Sequence, residues 1–175
     1  MNVNLDFISC AMNNDKYAFE KVYQSIYTDL LKMAIYILGN SDEAEDVVSD
    51  TIMDAYTGIS KLKDATKFEC WILRILSVKC KRKIRDKYQM INVHNPNVSN
   101  IDDINIGSYK SDIDNRLDIH NAMMKLKKEE RIIVTLCVVE GYKSSDVSLI
   151  LGINQSTVRS KLNRALAKMR KTLEV

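Results

Sequence analysis

From Phe19 onward the chain sets apolar side chains three and four residues apart: Phe19, Val22, Tyr23, Ile26, Leu30, Met33, Ala34, Ile37 and Leu38. This is the period of one face of an α-helix, so the spacing predicts one long helix or two short ones. Gly39-Asn40 is suited to end it, because glycine takes the left-handed turn of a C-cap without penalty. Ser41 can cap a second helix, whose first turn holds Asp42 and Glu43 where the helix dipole favours acids. Its inner face is Val48, Ile52, Ala55 and Ile59, and Gly58 lies near its end. A third helix is expected from near Thr66 to about Lys87, with Phe68, Ile72, Ile75 and Leu76 inward. Together these form a three- or four-helix bundle, which does not by itself specify a function.

Helical periodicity stops in INVHNPNVSNIDDINIGSYKSD, residues 91–112, which is rich in Asn, Asp and Ser and contains the single Pro, Pro96. Such a composition cannot bury a continuous apolar face, so residues 91–113 are expected to form an acidic, flexible linker between modules 1–90 and 114–175. Helices are expected at about 115–126 and 129–139, then at Ser144–Leu151, then from about Gln155 to Leu173 after the turn Gly152-Ile153-Asn154. The closing pair reads as a helix-turn-helix. Ser148 is small enough for a close crossing, Gly152 occupies the turn, and Val147, Leu151, Ile153, Val158 and Leu162 supply the core. The last helix then exposes Thr157, Arg159, Ser160, Lys161, Asn163, Arg164 and Lys168, donors able to reach phosphates and base edges in a major groove.

The fold class is therefore all-α: two small helical domains joined by a flexible linker, the second containing the helix-turn-helix. Five Gly and one Pro in 175 residues support this over a turn-rich sheet. The net charge of +3 conceals blocks of opposite sign. Residues 1–60 carry ten acids against three lysines (−7), residues 61–90 ten bases against three acids (+7), residues 91–113 a net −2, and residues 114–175 a net +5. Concentrated bases are what a polyanion-binding surface requires. Cys10, Cys70, Cys80 and Cys137 form no C-x-x-C pair and are expected to be reduced and mostly buried. Neither they nor His94 and His120 show metal-ligand or nucleophile spacing, so no metal or cofactor is expected. No apolar run approaches the ~18–20 residues of a membrane span and the amino terminus has no leader pattern, so no membrane insertion is expected and the expected location is cytoplasmic.

Three stretches taken together carry a resemblance: DEAEDVVSDTIMDAY (42–56), FECWILRI (68–75) and VEGYKSSDVSLILGINQSTVRSKLNRAL (139–166). In order and spacing they resemble the extracytoplasmic-function sigma factors of bacterial RNA polymerase. The resemblance implies that Asp42, Glu43, Glu45, Asp46, Val47 and Asp50 dock on the clamp of core RNA polymerase. Six acids and no base between Asp42 and Asp54 suit that role. It implies too that Lys61, Leu62, Lys63, Lys67, Trp71, Arg74, Val78, Lys81 and Arg85 melt and hold the −10 element of promoter DNA, rings stacking on freed bases while cations neutralise the backbone. Trp71, at helical spacing from Phe68 and Ile75, reads first as a core residue and only second as a ring for DNA. The −35 element falls to Ser156, Thr157, Arg159, Ser160, Asn163, Arg164 and Lys168, and an anti-sigma factor is implied as a further partner. Departures from the family pattern are Leu62 in place of an aromatic, Val78 in place of Asn, Ser49 in place of Gln, Ile52 in place of Phe, and Lys127 in place of Pro.

A helix-turn-helix regulator acting without polymerase explains residues 144–170 equally well, but not an acidic helix beside a basic, aromatic one. An enzyme acting on nucleic acid would need a carboxylate cluster or a Gly-rich phosphate loop, and the sequence offers neither pattern.

Overall fold

The computed structural model describes residues 1, 3–94 and 114–173, and all regular structure among them is helical. The first module contains α1 (Leu5–Met12), α2 (Lys16–Leu38), α3 (Ser41–Gly58) and α4 (Phe68–His94), with 3-10 turns at Ile59–Lys61 and Ala65–Lys67. The second contains α5 (Asp114–Met124), α6 (Lys128–Val134) continued by a π turn at Thr135–Val139, α7 (Ser144–Leu151) and α8 (Gln155–Leu173).

The Phe19–Leu38 pattern is one helix, capped by the Asp15 carboxylate on the Ala18 N–H and ended by Gly39 at φ +73°. Two expectations need correction. Asn40, not Ser41, caps α3, its side-chain oxygen accepting from the Glu43 N–H at 2.8 Å. In addition, α4 continues to His94, so residues 91–94 belong to a helix rather than to the expected linker; the rest of that linker, 95–113, lies outside the described residues. Helix α1 was not anticipated, although Asn4 before Leu5, Ile8 and Ala11 is a cap followed by an apolar face.

Ile8, Val22, Ile26, Leu30, Ile37, Val48, Phe68, Ile72 and Leu76 form the core of the first module. The same buried cluster runs on into Ile132, Ile133, Leu136, Val147, Ile150 and Val158, so the second module is docked on the first through apolar surface. A satellite cluster of Met123, Met124, Leu126, Val134 and Ala165 completes the core of the second module.

One corner of this docking is polar. Arg131 is 2% exposed, yet its Nη1 donates to the Ile37 carbonyl in the last turn of α2 at 2.8 Å, and its Nη2 to the Met124 and Leu126 carbonyls at 3.2 Å each. Beside it Met124 packs on Gly39 so closely that a Cβ there would run into its sulfur. His120 lies next to Gly39 as well, with its Nε2 buried and without a hydrogen-bond partner. Burial, then the Arg131 charge, lowers the His120 pKa below 6.5. The neutral ring is thus the form the fold favours, and the stability it contributes is present above 6.5 and lost as pH falls through the lowered value. Thermal melts should therefore show the native chain losing stability relative to His120→Gln between pH 7 and pH 5; a difference that stays constant with pH would contradict this assignment.

Candidate nucleic-acid interface

Helices α3 and α4 run antiparallel, and their register pairs charges along the seam. Glu43 meets Lys87 at 2.9 Å, Asp46 meets Lys83 at 3.1 Å, and Lys79 meets Asp54 at 2.8 Å and Asp50 at 3.9 Å. The seam divides each helix into two faces. On α3 the acids without an ion-pair partner are Asp42 and Glu45, exposed on the stripe that continues through Ser49 to Met53 and Tyr56. Val47, expected on the polymerase-facing side, is turned inward and buried.

On α4 the basic face not consumed by α3 is Arg74, Val78, Lys81 and Arg85, at steps of four, three and four residues. Arg74, Val78 and Arg85 are exposed, and Arg85 leans on Asp86 at 3.4 Å. Lys61, Lys63 and Lys67 are exposed around the two 3-10 turns, whereas Leu62 is half-buried against the core. The turn between them is held by Asp64, whose carboxylate accepts from the Thr66 hydroxyl and N–H; those bonds keep its pKa below the usual value. Trp71 is half-buried, tilted against Phe68 with ring centres 5.9 Å apart and lying over Gly58, so its inner face is committed to packing.

The helix-turn-helix forms as the spacing predicts. Gly152 caps α7 at φ +65°, Val147 and Val158 are buried between α7 and α8, and Leu151, Ile153 and Leu162 are half-buried beside them. Ser156, Arg159, Ser160, Asn163 and Arg164 are exposed, and Thr157 is half-buried. Arg164 donates from Nε to the Ser160 carbonyl, and the Ser160 hydroxyl donates to Thr157, so these two side chains already have intrahelical partners. Lys168 differs more: its ammonium lies on the buried Glu130 carboxylate at 2.8 and 3.0 Å. Glu130 also accepts from the Lys127 N–H, and its neighbour Glu129 holds Lys161.

The cysteines depart from expectation. Cys80 alone is buried, with its thiol pushed up to about 12 by burial, whereas Cys70 and Cys137 are half-buried and Cys10 is exposed; all four are free. Among the described residues no group of His, Cys, Asp or Glu is arranged to hold a metal, and no helix is long and apolar enough to cross a membrane.

Residues 22–89 match the family described as Sigma-70 region 2, and residues 116–169 that described as Sigma-70, region 4. The chain belongs to the extracytoplasmic-function sigma factors. Its similarity to the ECF RNA polymerase sigma factor SigM of Mycobacterium tuberculosis is 23% identity over 170 residues, covering 97% of this chain and 84% of that protein. The RNA polymerase sigma factor SigV of Bacillus subtilis is 28% identical over 142 residues, 81% of this chain and 82% of that one. The solved structure of CnrH with the cytosolic domain of CnrY shares the fold at TM-score 0.73 and 19% identity, covering 99% and 98% of the two chains. That of the sigma factor RpoE with the anti-sigma factor NepR from Bartonella quintana does so at 0.71 and 23%, covering 90% and 97%. This sigma factor directs transcription with RNA polymerase, and its two family matches fall on the two helical modules.

Sequence reasoning missed Glu129, Glu130 and Arg131. Two acids in the first turn of a helix carry only a capping signal, and nothing in the sequence marks Arg131 for burial.

Proposed function

We propose that residues 1–94 bind core polymerase and melt the −10 element, that residues 114–175 read the −35 element, and that residues 95–113 tether the two. The observation that carries this reading is the division of α4. One basic face is neutralised by the acids of α3, and the other, Arg74, Val78, Lys81 and Arg85, is met within the chain by long, partly exposed contacts, Arg85 with Asp86 at 3.4 Å and Lys81 with Glu129 at 3.9 Å, which an outside polyanion can replace. A regulator working without polymerase has no use for such a face on its non-helix-turn-helix module. The contact with the clamp falls to Asp42 and Glu45, the acids of α3 left without partners, and the apolar half of the same stripe, Met53 and Tyr56, extends it. Val78 offers a methyl surface and no hydrogen bond, which favours a thymine methyl over a polar base edge.

The two solved relatives were each obtained with a bound protein partner, one of them an anti-sigma factor, and a regulator of that type is proposed for this chain. Its site of action is the cytoplasm, where polymerase and promoter are found.

Reconstitution with core polymerase tests the melting assignment. Arg74→Ala and Lys67→Ala should reduce open-complex formation on duplex promoters at least about tenfold more than on templates already mismatched over the −10 element, since melting costs nothing on the latter. An equal loss on both templates would assign these residues to general DNA binding instead.

A further inference from the structure

The free basic face of α4 is not open to solvent along its whole length. Helix α4 packs against α6 and α7 of the second module. The Arg74 guanidinium lies at the helix-turn-helix turn, where its Nη2 would be 2.8 Å from a Cβ on Gly152. Close by, the Tyr142 hydroxyl donates to the Glu69 carboxylate across the same junction. Lys81, further along the face, is 3.9 Å from Glu129 Oε1. The other oxygen of that carboxylate holds Lys161 of the recognition helix α8. A single glutamate in the first turn of α6 thus engages one lysine from each of the two surfaces assigned to DNA, and the next residue, Glu130, engages a second lysine of α8, Lys168.

We propose that Glu129 is an internal phosphate surrogate: its carboxylate occupies Lys81 and Lys161 in the closed chain, ties the recognition helix to the middle of the α4 face, and is displaced when nucleic-acid phosphates take those lysines. This rests on the DNA-binding reading above. Chemically the exchange is one for one, since a carboxylate and a phosphodiester each present a single negative charge with two acceptor oxygens to the same ammonium groups. Glu129 is only partly buried, at 40% side-chain exposure, so the bridge is screened and weak enough for a polyanion to outcompete. The Lys161 hydrogen bond, and the charges of Lys161 and Lys81, hold the Glu129 pKa below the ordinary glutamate value, so the surrogate stays ionised through the neutral range. The consequence is a chain whose two DNA surfaces are released together. Freeing Lys81 from Glu129 also loosens the docking of α6 on α4, and with it the seat of the helix-turn-helix turn against Arg74.

Binding of the whole, polymerase-free chain to a fluorescein-labelled oligothymidylate strand, followed by anisotropy over a salt series, tests this. Glu129→Gln should raise affinity on the order of three- to tenfold, the scale of one or two partly exposed ion pairs. Glu129→Asp keeps the charge and the helix-dipole contact but shortens the reach, so it should show a smaller gain in the same direction that charge loss cannot explain. Lys81→Met should cost little in the native chain, where the lysine is already occupied, and should cancel most of the gain when combined with Glu129→Gln, a non-additive pair. Circular dichroism of each variant confirms that it is folded. No gain in either Glu129 variant, or a Glu129→Gln gain that adds independently to the Lys81→Met loss, would overturn the surrogate role while leaving the DNA reading intact. Absence of salt-dependent binding in every variant would overturn both.

Discussion

Replacing Arg131 with methionine should lower the unfolding free energy by about 2–4 kcal/mol, the largest stability loss expected of any single substitution in the docked corner. Arg131 is 2% exposed and its guanidinium donates to three carbonyls drawn from both modules: Ile37 at the end of α2, Met124 at the end of α5, and Leu126 just beyond it. The last carbonyls of a helix have no intrahelical donors and carry the negative end of its dipole, so a cation there is stabilised twice. Methionine matches the volume but leaves those carbonyls without these donors in a site that excludes water, and each such buried group costs about 1–3 kcal/mol. Part of this is offset because the charge no longer has to be desolvated, which is why the net figure is below the sum. Lysine should rescue little, since one ammonium cannot reproduce a planar fork aimed at three separated oxygens. Denaturant unfolding followed by circular dichroism measures the loss. A methionine variant as stable as the parent would mean that apolar packing alone holds the corner.

That residue marks the limit of what the sequence discloses. The long helices were legible because their patterns are sustained: α2 buries one stripe from Ala18 to Leu38, α8 turns Val158, Leu162, Ala165 and Met169 to one side, and no local alternative competes with that period. Gly39 and Gly152 were legible because each ends a pattern with a residue free to take positive φ. Asn40 lost out to Ser41 in the reading because both are good caps, and their choice depends on which backbone is extended at φ −142°.

The division of labour among the charges was not legible. Asp46, Asp50 and Asp54 read as one acidic face together with Asp42 and Glu45 until the antiparallel register of α3 and α4 assigns them to Lys83 and Lys79. Likewise Val47 is apolar on a charged helix, which leaves contact and core equally open in the sequence; the direction of the α2–α3 packing decides for the core. Docking of the second module on the first rests on Ile132, Ile133, Val147 and Ile150, residues that would be core in an isolated module too, so no pattern distinguishes the two uses.

Arg159→Ala and Asn163→Ala should each flatten base preference at one or two positions of the −35 element, at a cost of roughly 1–3 kcal/mol per lost base contact. Both residues lie on α8, four apart, and therefore on one side of it. Both are exposed, and neither side chain has a hydrogen bond or ion pair among the described residues, in contrast to Ser160 and Arg164, whose side chains have intrahelical partners. Val158 is buried one position before Arg159, which fixes the rotation of the helix and leaves this side outward, toward a groove. Arginine can pair bidentately with guanine and asparagine with adenine, so the loss falls on particular bases rather than on all sequences alike. Lys168 is expected to behave differently. Its ammonium already neutralises the buried Glu130, so Lys168→Ala should lower thermal stability and weaken binding to all sequences equally, without altering the consensus. Selection of sites from a randomised upstream element, in the presence of core polymerase, separates the two behaviours. An unchanged consensus for both Arg159→Ala and Asn163→Ala would remove −35 readout from this face of α8.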